Sequence, residues 1–256
     1  MSGIAEIIRN RHSTRGAFDC SRPITKPQLK AILEAAQWAP TPTNMQNFEI
    51  VIVDEPEQLQ AIGEIPAQMS ERFLRENYEQ LSFSEAELSI KKEGMLASAF
   101  PKQWTDPESW NPEADARSQL TFLGRSVLET PLLLVVIYDG NEHAPGSDGD
   151  PLGLIGLGCV MENMWLMAEE LGIGMHVLTV FSDSAVEKQV MTTLHIPPPM
   201  KIAFACALGH ASEPSHRYVR VRRDLEDFVH HNRFGHKDIL WKPVESDEAL
   251  VAQGSR

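Results

Sequence analysis

Apolar residues recur along the 256-residue chain with two different periods, and the period assigns each stretch to a helix or a strand. Ile4, Ile7 and Ile8 sit at helical spacing and predict a short helix that delivers Arg11-His12-Ser13-Thr14-Arg15 as a loop. Thr25-Lys26-Pro27-Gln28 has the capping-box form with Pro in the first turn. Leu29, Ile32, Leu33 and Ala36 follow on one face, and Pro40 ends that helix. Glu49 to Val53 predicts a strand, and Asp54-Glu55-Pro56 opens a helix with acidic residues at its positive end. From about Pro66 to Phe100 the pattern predicts charged amphipathic helix, with a second capping box at Ser84-Glu85-Ala86-Glu87. Gln119 to Glu129 predicts a helix that stops before Pro131. Leu132 to Tyr138 is almost wholly apolar, as in a strand covered on both faces.

Leu154 to Leu171, closed by Gly172, predicts the main apolar helix. Leu157, Val160, Met161, Met164, Trp165 and Ala168 are too many for one core-facing stripe, so this helix must be covered on several sides. A subunit interface is the economical cover in a chain of this size. Met175 to Phe181 predicts a third strand, and Ser182-Asp183-Ser184 caps a helix that runs to Leu194. Lys201 to Leu208 predicts the fourth strand, and Leu225, Phe228 and Val229 a last short helix. The Gly-, Pro- and Asp-rich stretch from Asp139 to Asp150 predicts a mobile acidic loop. No repeat or domain boundary shows, so residues 1–243 are expected to form a single domain and 244–256 a disordered tail.

Composition narrows the chemistry. The net charge is −13 and the pI about 5.1, which argues against a nucleic-acid partner. Basic residues nevertheless concentrate at 9–15 and 217–223, a pattern suited to one specific anion. Cys20, Cys159 and Cys206 lack metal spacing and two lie in apolar runs, as expected of reduced thiols in the cytoplasm. The N-terminus turns polar at once, so no signal peptide is expected. The apolar window from Leu152 to Gly174 is broken by Glu162, Glu169 and Glu170, and reads as a core helix and not a membrane span. Asp148-Gly149-Asp150 lacks the twelve-residue calcium pattern, and His230, His231 and His236 are irregularly spaced with no Cys near, so no metal is expected.

Three stretches carry candidate chemistry. Arg11 to Arg15 sets two guanidiniums around two hydroxyls and an imidazole, a donor set matched to a terminal phosphate, though a solvated basic loop has the same residues. Asn44 and Gln46, in the Pro-Thr loop before the first strand, can donate and accept together, as reading a heterocycle edge requires; taken alone, Asn in such a loop is more often a turn residue. Arg220 and Arg222 stand two apart and point the same way in an extended chain, so both can reach one anion. Trp104 and Trp110 fit either a lid over a flat ligand or a loop pinned by two indoles. His176 in its apolar run fits a core histidine better than a catalyst.

In this order and spacing, Arg11-His12-Ser13-x-Arg15, the helix ending Trp38-Ala39-Pro40, and Thr43-Asn44-x-Gln46 before an apolar strand resemble the FMN-dependent nitroreductase family. The resemblance covers roughly residues 4–54 and 154–235. It departs at Asn47-Phe48, where the family usually has Pro-Trp. The resemblance implies an α+β fold with a mixed central sheet wrapped by helices, in an intertwined homodimer. It implies that Arg11, His12, Ser13 and Arg15 hold the FMN phosphate, with Arg220 and Arg222 returning to it. Thr43, Asn44 and Gln46 would lie beside the isoalloxazine ring and the backbone of Leu178 and Thr179 near its reactive N5. Arg125 matches a basic residue at the pyrimidine edge, a surface Arg being the competing assignment. Phe234, Ile239, Leu240 and Trp241 would anchor the C-terminus on the partner subunit.

The function implied is transfer of electrons from NADH or NADPH, through FMN, to a nitroaromatic, quinone or similar small flat acceptor by a ping-pong cycle. The flavin carries the redox step, so no side-chain nucleophile is expected. No Gly-rich dinucleotide fingerprint follows a strand, which suits a nicotinamide that visits and leaves. Two alternatives remain: other flavin chemistry on the same fold, such as substrate dehydrogenation, reductive dehalogenation or flavin fragmentation, and a non-enzymatic flavin-binding protein.

Overall fold

The structure is a computed structural model that describes residues 3–15, 18–67, 80–97, 124, 127–212 and 220–237. Two compact units partition the chain: Met1–Glu71 with Pro107–His216, and Arg72–Asp106 with Arg217–Arg256.

The first unit is built on a four-stranded sheet. Its strands are β1 (Glu49–Val53), β4 (Leu132–Asp139), β6 (Met200–Gly209) and β5 (Gly174–Val177), in that spatial order, with every pair antiparallel. Parallel pairing enters this unit as an isolated bridge between Ser13 and Met175. The period-two alternation of β4 divides the core. Leu133, Val135 and Ile137 face one layer with Leu59 and Ile62 of α3 (Pro56–Gly63) and Val186 and Val190 of α6 (Ser184–Thr193). Leu132, Leu134 and Val136 face the other, with Ile32 and Ala36 of α2 (Lys26–Gln37) and Val160, Met164 and Ala168 of α5 (Pro151–Glu170). Both faces of β4 are therefore covered, as its unbroken apolar run requires. A register shift between Val136 and Ile137 leaves Ala203 of β6 unpaired, a bulge in the sheet. The expected α+β fold, a central sheet wrapped by helices, is present.

Local chemistry fixes the helix ends. Gln28 N–H donates to Thr25 Oγ1 at 3.4 Å while Thr25 N–H donates to Gln28 Oε1 at 3.0 Å, so the expected capping box starts α2. Asp150 caps α5: its Oδ1 accepts from Gly153 N–H at 3.2 Å and from Ala144 N–H at 2.9 Å. The acidic stretch before α5 is tied to the helix start through Asp150, with Ala144 buried.

Two sequence expectations need correction. The third strand stops at Val177, because the chain turns into a 3-10 helix at Thr179–Ser182; Phe181 still fills the core, from that turn. In the second unit, residues 80–97 of the 66–100 stretch are not one helix. It holds β2 (Ser82–Phe83), α4 (Glu85–Lys91) and β3 (Met95–Leu96), with β2 and β3 pairing in parallel. Lys92 and Gly94 adopt positive φ at the end of α4, and this turns the chain back. The Ser84–Glu87 capping box forms as expected, and Lys92 pairs with Asp224, the residue before α7 (Leu225–Phe228). Arg125, Trp104, Trp110, Arg217, Ile239 to Trp241 and the tail beyond 243 lie outside the described residues.

Candidate functional site

α1 (Ile4–Asn10) ends where the basic loop begins. The loop is fastened to β5 by the Ser13–Met175 bridge and by Thr14 N–H, which donates to the Met175 carbonyl at 3.0 Å. This approach needs glycine at 174, where a Cβ would lie 2.7 Å from Thr14 Oγ1.

α5 grips the same loop. Glu162, Trp165 and Glu169 are spaced to share one helix face. Glu162 Oε1 lies 3.3 Å from Arg11 Nε, and the Arg11 guanidinium stands 4.7 Å from the centroid of the Trp165 ring. Trp165 Nε1–H donates to the His12 carbonyl at 3.1 Å, and Glu169 Oε2 lies 3.7 Å from His12 Nδ1. Nδ1 also lies 3.0 Å from the Asn10 carbonyl, which only accepts, so in the neutral ring Nδ1 carries the proton. Arg15 is exposed. Burial first, and the Arg15 charge second, lower the His176 imidazole on β5 to about 4. His176 is therefore neutral at pH 7, and within the sheet it stands in register with Ala207 of β6.

The second loop runs from Thr41 to Phe48 and includes the 3-10 turn Pro42–Asn44. Thr43, Asn44 and Gln46 hold φ of 48°, 56° and 46°, the left-handed region. For β-branched Thr this is an outlier, and each such residue costs about 1–3 kcal/mol. The loop is over-determined all the same: Gln46 N–H donates to Thr41 Oγ1 at 3.1 Å, Asn44 N–H to the Thr41 carbonyl at 3.0 Å and Gln46 Nε2 to the Asn44 carbonyl at 3.4 Å. α5 supports this loop too, through Gly156, where a Cβ would meet Pro42 Cδ at 3.1 Å. Thr43, Asn44 and Gln46 are exposed, whereas Asn47 is 6% exposed. One helix thus carries both loops.

Leu178 and Thr179 follow β5. Leu178 N–H donates to the Ala205 carbonyl at 2.9 Å and is committed to the fold. Thr179 is exposed and opens the 3-10 turn, where the leading N–H groups lack intrahelical acceptors. Arg220 and Arg222 belong to the second unit, exposed, on a segment without regular structure, and the Arg222 guanidinium donates to the Val221 carbonyl at 2.7 Å. Sequence reasoning missed Glu162, Trp165 and Glu169 as site residues. Glu162 and Glu169 interrupt the apolar helix at helical spacing from Trp165, but nothing local in the sequence ties that face to the Arg11–Arg15 loop.

The model of the nitroreductase family matches residues 8–210. The chain belongs to the nitroreductase family. Membership implies an oxidoreductase. Among solved structures, the FMN- and NADPH-dependent nitroreductase NfnB from sphigopyxis sp. strain HMH is similar with a TM-score of 0.64 at 18% identity, covering 91% of this chain and 100% of that one. A nitroreductase with bound FMN from Desulfitobacterium hafniense DCB-2 gives 0.57 at 18% identity, covering 91% and 100%. A nitroreductase family protein from Clostridium novyi NT gives 0.55 at 17%, covering 92% and 96%. These similarities show a nitroreductase fold. No curated protein gives a significant match.

Proposed function

We propose that the chain is an FMN-dependent oxidoreductase that draws electrons from NADH or NADPH and delivers them to a nitroaromatic, quinone or similar flat acceptor. The observation that carries this is the Arg11–Arg15 loop, whose leading guanidinium is pre-set by Glu162 and Trp165. Its donor set fits a terminal phosphate. The exposed amides of Asn44 and Gln46 fit the edge of a flat ring, and loop strain at Thr43 is the kind that collects at ligand sites. NfnB's dependence on FMN and NADPH and the flavin bound in the Desulfitobacterium protein support the same cofactors for this chain.

Bound FMN would supply hydride acceptance and electron delivery. The chain's part is to hold and orient it: Arg11, Ser13 and Arg15 on the phosphate, Thr43, Asn44 and Gln46 beside the ring, and the Thr179 amide toward its reactive edge. His176, its pKa pushed down to about 4 by burial, is uncharged at pH 7 and is read here as a core residue. Residues 1–243 act as one functional domain, in the cytoplasm, as a homodimer. Support for the dimer lies on α5, where Leu152, Leu154 and Ile155 are 45%, 54% and 62% exposed, with Ile4 and Ile8 of α1 exposed as well.

Anaerobic NADH or NADPH should bleach the visible flavin band, and initial rates at several acceptor concentrations should give parallel double-reciprocal lines. A flavin that neither nucleotide bleaches contradicts the proposed donors, and intersecting lines contradict the ping-pong cycle.

A further inference from the structure

Asn47 sits between the strained Gln46 and Phe48 and is 6% exposed. Its Oδ1 and Nδ2 are both buried, and neither has a hydrogen-bond partner among the described residues. A carboxamide offers two donors and an acceptor with two lone pairs. Burying it unpaired is unfavourable, and buried polar groups in native folds are overwhelmingly paired. The neighbouring backbone does not supply the partner: Phe48 N–H donates to the Gln46 carbonyl at 2.9 Å and Gln46 N–H to Thr41 Oγ1 at 3.1 Å. Two separate costs therefore meet in one short loop, left-handed backbone at Thr43, Asn44 and Gln46 and an orphaned amide at Asn47.

We propose that the Asn47 carboxamide is a ring-reading contact of the bound flavin, pairing with the uracil-like edge of the isoalloxazine. That edge presents carbonyl, N–H and carbonyl in one plane, and a carboxamide complements it with one donor and one acceptor. This assignment rests on the FMN reading. It makes Asn47 a determinant of which flat heterocycle the loop accepts.

Apoprotein titrated with FMN, followed by quenching of flavin fluorescence, tests it together with the melting temperature of each apoprotein. Asn47→Leu is expected to bind FMN about tenfold more weakly or worse, while its apoprotein melts at or above the wild-type temperature, because an orphaned polar group is gone. Asn47→Asp keeps the shape and an acceptor but loses both donors, and is expected to weaken FMN as well. An Asn47→Leu affinity within about twofold of wild type overturns the proposal, since that difference is below the value of one hydrogen bond. Weaker binding accompanied by a lower apoprotein melting temperature also overturns it, by making Asn47 a structural residue. A wild-type protein that takes up no FMN instead defeats the flavin reading, so the two failures are distinct.

Discussion

Arg11 is engaged twice by α5, by the Glu162 carboxylate at 3.3 Å and by the face of Trp165 at 4.7 Å. These contacts fix the plane of the guanidinium, so less side-chain entropy remains to be lost when a phosphate docks. Arg11→Ala should cost FMN roughly 1.5–3 kcal/mol, about tenfold to over a hundredfold in dissociation constant by fluorescence titration. Unchanged affinity would remove the loop from the phosphate site. His176 makes a separate prediction at the same scale. Its folded pKa of about 4 lies below the unfolded value of 6.5, so the unfolded chain binds more protons between these limits. The stability it contributes is present above pH 6.5 and is lost as pH falls toward 4. Denaturant titrations at pH 7 and 5.5 should show wild type losing roughly 1 kcal/mol more than His176→Gln. Equal losses would show that the imidazole is not held neutral by the fold. The residues of the basic loop were legible in the sequence as donors. Their clamps were not, because Glu162 and Trp165 meet Arg11 across a long stretch of chain and no local pattern records that. The positive φ at Thr43 was also illegible, since a β-branched residue argues against it.

Among the elements, α5 does most to place the site. Gly156 admits the Thr41–Phe48 loop, and Glu162, Trp165 and Glu169 hold the Arg11–Arg15 loop. β5 completes the clamp through Met175 and Gly174. Gly174→Ala should therefore cost about 1–3 kcal/mol of stability, because the added Cβ falls 2.7 Å from Thr14 Oγ1. The same change should displace Thr14 and weaken FMN. A variant with wild-type denaturation midpoint and flavin affinity would show that the contact relaxes freely. Elements with a strong period were read well from sequence: α2 with its capping box, β1, β4, and β6 to within one residue at each end. α5 begins at Pro151, earlier than its apolar pattern, because Asp150 caps it from within a stretch whose composition suggests only loop. Val180 and Phe181 continue an apolar run but leave the sheet, since a 3-10 turn can bury the same side chains and periodicity does not separate the two.

On the scale of the whole molecule, the uncovered apolar face of α5 and the adjoining α1 sets the expected assembly. Phe234, 91% exposed near the C-terminus, adds an apolar anchor suited to a second subunit. Light scattering at micromolar concentration should give twice the chain mass of 28.6 kDa, through a two-fold interface that each copy forms with the same surface. Leu154→Glu with Ile155→Glu should shift the mass toward monomer, and a wild-type monomer would refute the proposed dimer. The central claim is that the fold is a holder for one mononucleotide flavin. Its most direct test is chromatography of whatever the purified protein releases on heat denaturation. The released material is predicted to be FMN in stoichiometric amount; FAD, or a protein that releases no flavin and takes up none of the FMN supplied, would contradict it.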